Sequence, residues 1–135
     1  MRASPKVQGE KSEGLILAAL LRAGKVVLLP FGDNQRYDLV IDEHGKFVRV
    51  QCKTGRLRQG AINFKTCSSH EHRGKGTRNY YGQADLFGVY CPETDAVYFI
   101  PVEEVGTTRA LLRVEPPKNN QKSKTRYADR YKLPA

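Results

Sequence analysis

The sequence predicts an α/β fold within a single compact unit of 135 residues. Three observations carry that expectation. Apolar residues recur at helical spacing from Pro5 to Ala23, strand-like alternation runs between Arg36 and Thr54, and two short apolar stretches, Leu86–Cys91 and Ala96–Ile100, flank a turn. No internal repeat interrupts this order.

The first element is the helix over residues 5–23. Ser4 can cap its free N–H groups, Pro5 fits the first turn because its missing N–H is not needed there, and Gly24 is a natural stop. Lys25–Leu29 follows as a short strand ended by Pro30, and Phe31-Gly32-Asp33-Asn34 reads as a turn-rich loop. Arg36–Asp42 and Lys46–Thr54 form a hairpin about Glu43-His44-Gly45. Ala61–Thr66 is a weaker fourth strand, and the polar, basic segment Cys67–Asn79 reads as a loop. After Leu86–Cys91 and Ala96–Ile100, Pro101–Val105 opens a short helix. Beyond Val114 the residues turn polar and basic, so the folded unit is taken as 1–112. Residues 113–135 form a basic C-terminal tail, read either as an extended nonspecific arm or as an ordered C-terminal element.

Composition excludes several classes. No apolar run of membrane-spanning length exists, and the polar N-terminus lacks a signal-peptide core. Cys52, Cys67 and Cys91 are odd in number and lack a framework spacing, which fits a reducing, cytoplasmic (intracellular) setting. A phosphate-binding glycine loop and a serine-nucleophile motif are both missing. Cys67, His70, His72 and Cys91 match no strong zinc spacing and are read as ordinary loop residues.

The net charge is +9, and its placement matters more than its size. Residues 53–78 carry seven basic side chains against the single acid Glu71, and residues 113–135 carry seven against Glu115 and Asp129. The remainder of the chain is slightly acidic. Two basic segments on such a body suit a polyanion, with a merely solvated surface as the bland alternative. Arg56, Arg58, Lys65, Arg73, Lys75 and Arg78 are the candidates for phosphate contact. Tyr80 and Tyr81 either pack in the core or stack on bases.

Four residues carry potential chemistry. On the helix, Ile16 and Leu17 lie about 60° and about 40° to either side of Glu13, so this carboxylate is expected within the apolar face. Such burial is costly unless a metal or an arginine compensates, or the side chain reaches solvent near the helix start. On the hairpin, Gln51 and Lys53 share one strand face, and Asp38 begins the partner strand across from them. Phosphodiester hydrolysis needs an activated water, a Lewis acid and relief of developing negative charge. Two carboxylates, an amide oxygen and an amine are the right groups for it. A polar, solvent-facing hairpin surface would show the same alternation.

Asp38 followed by Gln51-Cys52-Lys53 resembles the split Asp…(Asp/Glu/Gln)-x-Lys motif of the PD-(D/E)XK nuclease superfamily. The stretches Leu28–Val40, Arg49–Thr54 and Val89–Thr94 are similar to its small group I intron homing endonucleases, and archaeal-type Holliday junction resolvases share the core layout. The likeness spans roughly residues 8–105. It implies a restriction-endonuclease-like mixed β-sheet flanked by helices, an αβββαβ-type core. It also implies that Glu13, Asp38 and Gln51 hold Mg²⁺, with Mn²⁺ able to substitute, and that Lys53 is the catalytic lysine. The implied function is metal-dependent cleavage of DNA, duplex or branched, by a homodimer or homotetramer. Junction resolution and nucleic-acid binding without catalysis are the alternatives. Two departures stand out: Tyr37 precedes Asp38 where the superfamily usually has Pro, and the neutral Gln51 replaces a carboxylate.

Overall fold

The computed structural model describes residues 4–69, 76–117 and 125–133. Helix α1 (Pro5–Arg22) starts where the sequence places it, with Ser4 Oγ accepting the Val7 N–H at 3.2 Å. It ends at Gly24, whose φ of 78° is left-handed. Strands β1 (Val26–Leu28), β2 (Leu39–Glu43) and β3 (Lys46–Thr54) follow. The β2–β3 turn has positive φ at both His44 (53°) and Gly45 (90°), the tight hairpin geometry whose twist matches the strands. Next come β4 (Arg56–Arg58), β5 (Ala61–Lys65), β6 (Cys67–Ser69), β7 (Thr77–Asn79), β8 (Leu86–Cys91), β9 (Ala96–Pro101) and β10 (Arg109–Arg113). Single 3-10 turns span Val102–Glu104 and Ala128–Tyr131.

Three sheets result. The main sheet has the order β1-β2-β3-β8-β9 and is mixed, because β3 and β8 are parallel while the other neighbours are antiparallel. A second sheet, β10-β5-β4, is antiparallel, and β6 pairs with β7. The main sheet is covered on both faces. On one, Ile16 and Leu20 of α1 pack with Leu39, Ile41, Val50 and Phe99. On the other, Phe87, Val89, Tyr98 and Ile100 meet Ile62, Phe64, Ala110 and Leu112 of the second sheet. Burying each such side chain contributes about 1.5–3 kcal/mol. Gly88 lets the helix approach: a Cβ there would lie 2.9 Å from Ile16 Cγ2.

The expected α/β fold and mixed sheet are present, with three differences. The second helix of an αβββαβ core is not among the described elements, and the crossover from β3 to β8 runs through β4–β7 instead. The stretch read as a loop, Cys67–Asn79, begins and ends in paired strands. The hairpin's first strand starts at Leu39 rather than Arg36, because Asp38 Oδ2 accepts the Cys52 N–H at 2.9 Å where the strand ladder would otherwise continue. At the C-terminus, residues 125–133 follow the second of the two readings of the tail, an ordered element. Arg113 N donates to Arg126 O at 2.7 Å, Ala128 is buried, and Tyr131 and Leu133 pack on the core, so these apolar residues outweigh the basic composition around them. No described helix is long and apolar enough to cross a membrane.

Candidate active site

Glu13 is set by its neighbour on the helix. Ser12, only 1% exposed, shares a 2.5 Å hydrogen bond with Thr54 Oγ1 at the end of β3, which fixes the rotation of α1 on the sheet. The buried stripe of the helix is Ser12, Ile16 and Leu20, so Glu13 stands at its edge, half-buried, rather than at its centre. From there it lines a cavity of about 260 Å³ together with Asp38, Asp33, Gln35, Tyr37 and Pro30. Burial raises the pKa of Glu13, and the charges of Asp38 and then Glu10 raise it further.

Asp38 sits just before β2, its N–H donating to Val50 O at 2.8 Å. Burial pushes its carboxyl up as well, more strongly than the Cys52 N–H and the nearby charge of Lys53 pull it down. The Cys52 thiol is pushed up by burial and by both acids, so it behaves as an inert core group between them. Two carboxylates from separate elements thus face one cavity in an environment that disfavours their ionised forms.

Gln51 and Lys53 project to the sheet's other face, as strand alternation requires, because Val48, Val50 and Cys52 pack towards α1. Gln51 Nε2 donates to Cys52 O at 3.4 Å, which leaves the amide carbonyl with no partner among the described residues. Lys53 Nζ donates to Cys67 O at 3.1 Å and Tyr80 Oη at 3.3 Å, and lies 4.8 Å from the Tyr80 ring centroid. It opens on a different cavity from the acids, although its charge reaches Asp38. The four predicted residues therefore gather in two pairs around the open end of β3.

Sequence reasoning missed the residue that holds this end in shape. The Arg36 guanidinium donates to Gln83 Oε1 (2.7 Å), Ser68 Oγ (2.6 Å) and Asn79 O (2.8 Å), and lies 4.0 Å from the Tyr80 ring centroid. It clamps the segment entering Asp38 to β6, β7 and the buried Tyr80. Asp33 and Gln35 were missed too, although the turn-rich loop that carries Asp33 lies only a few residues before Asp38. Of the two tyrosines, Tyr80 is core and Tyr81 is exposed. Among the phosphate-contact candidates, Arg56, Arg58 and Lys65 lie on or beside the second sheet and Arg78 is on β7. Arg73 and Lys75 fall outside the described residues, as do His70 and His72. Cys67 and Cys91 are buried, and no group of three or more His, Cys, Asp and Glu suited to a metal occurs among the described residues.

Residues 3–134 match the sequence pattern of the PD-(D/E)XK endonuclease family. The chain belongs to that family. A bacterial homing endonuclease of known structure aligns over 97% of this chain and 88% of its own, with a TM-score of 0.67 and 23% identity, which shows a shared fold. An Archaeoglobus fulgidus Holliday junction resolvase aligns over 76% of this chain and 83% of its own, with a TM-score of 0.48 and 17% identity. Among curated proteins no match is found. The protein is thus a nuclease by family, and the family match takes in the C-terminal segment that packs back onto the core.

Proposed function

We propose that this PD-(D/E)XK nuclease is a Mg²⁺-dependent DNA endonuclease of homing-endonuclease type, acting inside the cell as a homodimer or homotetramer. One observation carries the reading: Glu13 and Asp38 face one cavity with both carboxyl pKa values raised. Close carboxylates whose desolvation outweighs the pull of Lys53 on Asp38 fit a divalent ion, and Mg²⁺ prefers such hard oxygens while keeping several waters. Glu13 and Asp38 would hold it, and the unpartnered Gln51 carbonyl, which lies on the other face of β3 outside their cavity, is the neutral third donor we propose. A donor set with only two carboxylates predicts weak binding, for which Mn²⁺ is expected to substitute. The bound ion supplies Lewis-acid polarisation of the phosphate and activation of water.

The chain's own groups do the rest. Lys53 Nζ is held by Cys67 O and Tyr80 Oη beside Asp38, where an ammonium can orient the attacking water and offset charge on the phosphate. Arg36 fixes the segment that delivers Asp38. A twofold assembly would supply two such sites for cutting both strands.

The test is cleavage of labelled linear duplexes and four-way junctions with Mg²⁺, Mn²⁺ or EDTA, beside Lys53→Ala. Cutting of linear duplex that needs the ion and falls on the order of 10²- to 10⁴-fold in Lys53→Ala is expected. Cutting confined to four-way junctions would replace the homing reading with junction resolution. Salt-sensitive binding without nicking of duplex or junction would overturn catalysis.

A further inference from the structure

The outer face of the second sheet is built unlike an ordinary solvated surface. Leu57, Ile62, Phe64, Ala110 and Leu112 point into the core, so the alternate residues of β4, β5 and β10 take the other face, on which Ala61 alone among them is buried. The register sorts them into rows. Arg56, Asn63 and Leu111 form the middle row, Lys65 stands directly opposite Arg109 on one side, and Arg58, Ala61 and Arg113 form the other. No strand position on this face carries an acid.

The Lys65–Arg109 pair is the informative one. Like charges directly opposite on antiparallel strands destabilise the pairing. Neither side chain, nor Arg58, makes a hydrogen bond or ion pair among the described residues. Arg56, by contrast, is neutralised by Glu93 at 3.0 Å. Lys53, Arg56, Arg58, Asn63, Lys65 and Arg109 line one cavity of about 300 Å³. A cationic trough thus joins Lys53 to the sheet, with the Asn63 amide in its lining and the exposed Leu111 opposite Asn63 in the register, outside that lining.

We propose that this face lies in the major groove of the duplex next to the cut. Lys65, Arg109 and Arg58 hold the phosphates, and Asn63 and Leu111 meet base edges. The proposal rests on the DNA-endonuclease reading above and adds where the duplex sits and which residues select its sequence. The dimensions fit. With strands about 4.8 Å apart, the β5–β10 pair is a two-stranded ribbon roughly 10 Å across, which a major groove about 12 Å wide admits, and β4 lies at its rim. The chemistry fits as well, since an asparagine amide pairs with adenine and an apolar side chain meets the thymine methyl. An A-form RNA major groove is too narrow to admit the sheet.

The experiment uses the full chain, a short labelled DNA duplex in EDTA over a range of salt, and R109E. Reversing that charge sets opposite charges across the strands, so the melting temperature is expected to stay or rise, which removes misfolding as a cause of weakened binding. The slope of log affinity against log salt should flatten by about 1 for each phosphate the variant no longer neutralises, and by about 2 in Lys65→Gln/Arg109→Gln. Asn63→Ala should keep the slope. In selection from a randomised duplex library, it should lose preference at one or two adjacent base pairs. Unchanged slopes in R109E and in the double variant, with wild-type cleavage intact, would overturn the proposal and leave the nuclease reading standing. Equal selection profiles for Asn63→Ala and wild type would overturn the base-reading part. A wild-type chain that neither binds nor cuts DNA would mark failure of the functional reading itself.

Discussion

The main sheet and the second sheet carry opposite electrostatic burdens, and the contrast explains how the molecule divides its work. Around β2 and β3, two carboxylates are drawn into one cavity with raised pKa values, and an inert thiol lies half-buried beside them. On β5 and β10, two cations stand opposite one another, and no strand position on their face is an acid. Other charges are matched, such as Arg49 with Asp85 at 3.1 Å and Lys25 with Glu43 at 2.8 Å. The imbalance in the two regions is of opposite sign. An acidic cavity wants a cation and a basic face wants a polyanion, and phosphodiester cleavage brings the two together at one place. The free protein tolerates both mismatches at some expense in stability, as functional sites often do.

The sharpest way to break this comparison is to neutralise the acidic side. Asp38→Asn keeps an oxygen that can accept the Cys52 N–H, so the local geometry should survive. Cleavage is expected to fall about 10³-fold or more, because a carboxylate facing the cation cavity is gone. In EDTA the same variant should melt at a higher temperature than wild type, since the disfavoured charge has been removed. Thermal melts beside cleavage assays test both halves. A variant that loses activity and also melts lower would mean that Asp38 serves the fold rather than the site.

A second prediction concerns the join between the regions. Gly55 lies between β3, which carries Lys53, and β4, which opens the second sheet, and its N–H donates to Tyr90 O at 2.8 Å. A Cβ there would sit 2.6 Å from Ile62 Cγ2 and 2.9 Å from Val89 Cγ1, and both are methyls on short, branched side chains with little room to move. Gly55→Ala is expected to destabilise by about 1–3 kcal/mol, measured by urea unfolding. It should also weaken cleavage, because the strand that bears Lys53 must shift. Gly14→Ala, at a helix position with nothing within 4 Å of the added Cβ, is the control and should be neutral or mildly stabilising.

These particulars show what a sequence of this kind reveals. Helix α1, the hairpin and strands β8 and β9 were legible because each has strong periodicity bounded by capping or turn residues. Asp38, Gln51 and Lys53 were singled out by their likeness to the split nuclease motif, since their spacing alone is shared by any polar, solvent-facing hairpin. Strands β4 and β10 were not, since Arg56-Leu57-Arg58 and Arg109–Arg113 bury only every second residue and their charges read as surface. Arg36 was invisible for another reason: its partners Ser68, Asn79 and Gln83 are distant in sequence, and only the fold brings them within reach of one guanidinium. The edge position of Glu13 was missed because a helical wheel cannot say that Ser12, through Thr54, sets the buried line.

The smallest effect expected is also the most diagnostic of the acidic cavity. Glu13 and Asp38 have folded pKa values above their ordinary ones, so in EDTA the folded chain holds protons that the unfolded chain has released. Their contribution to stability is intact below the ordinary carboxylate range and is lost as pH rises through the raised values. Asp85 and Glu93 run the other way. Their pKa values are lowered, by the Arg49 hydrogen bond for Asp85 and by the Leu57 N–H and Arg56 for Glu93, against an opposing effect of burial in each. A simple pH scan would mix the two trends, so the useful quantity is a difference. At neutral pH, Glu13→Gln/Asp38→Asn should melt above wild type by no more than a few degrees. That gap should close as pH falls, because wild type then protonates the same two groups. A gap that stays constant or widens towards acid pH would remove the pair of disfavoured carboxylates on which the metal assignment depends.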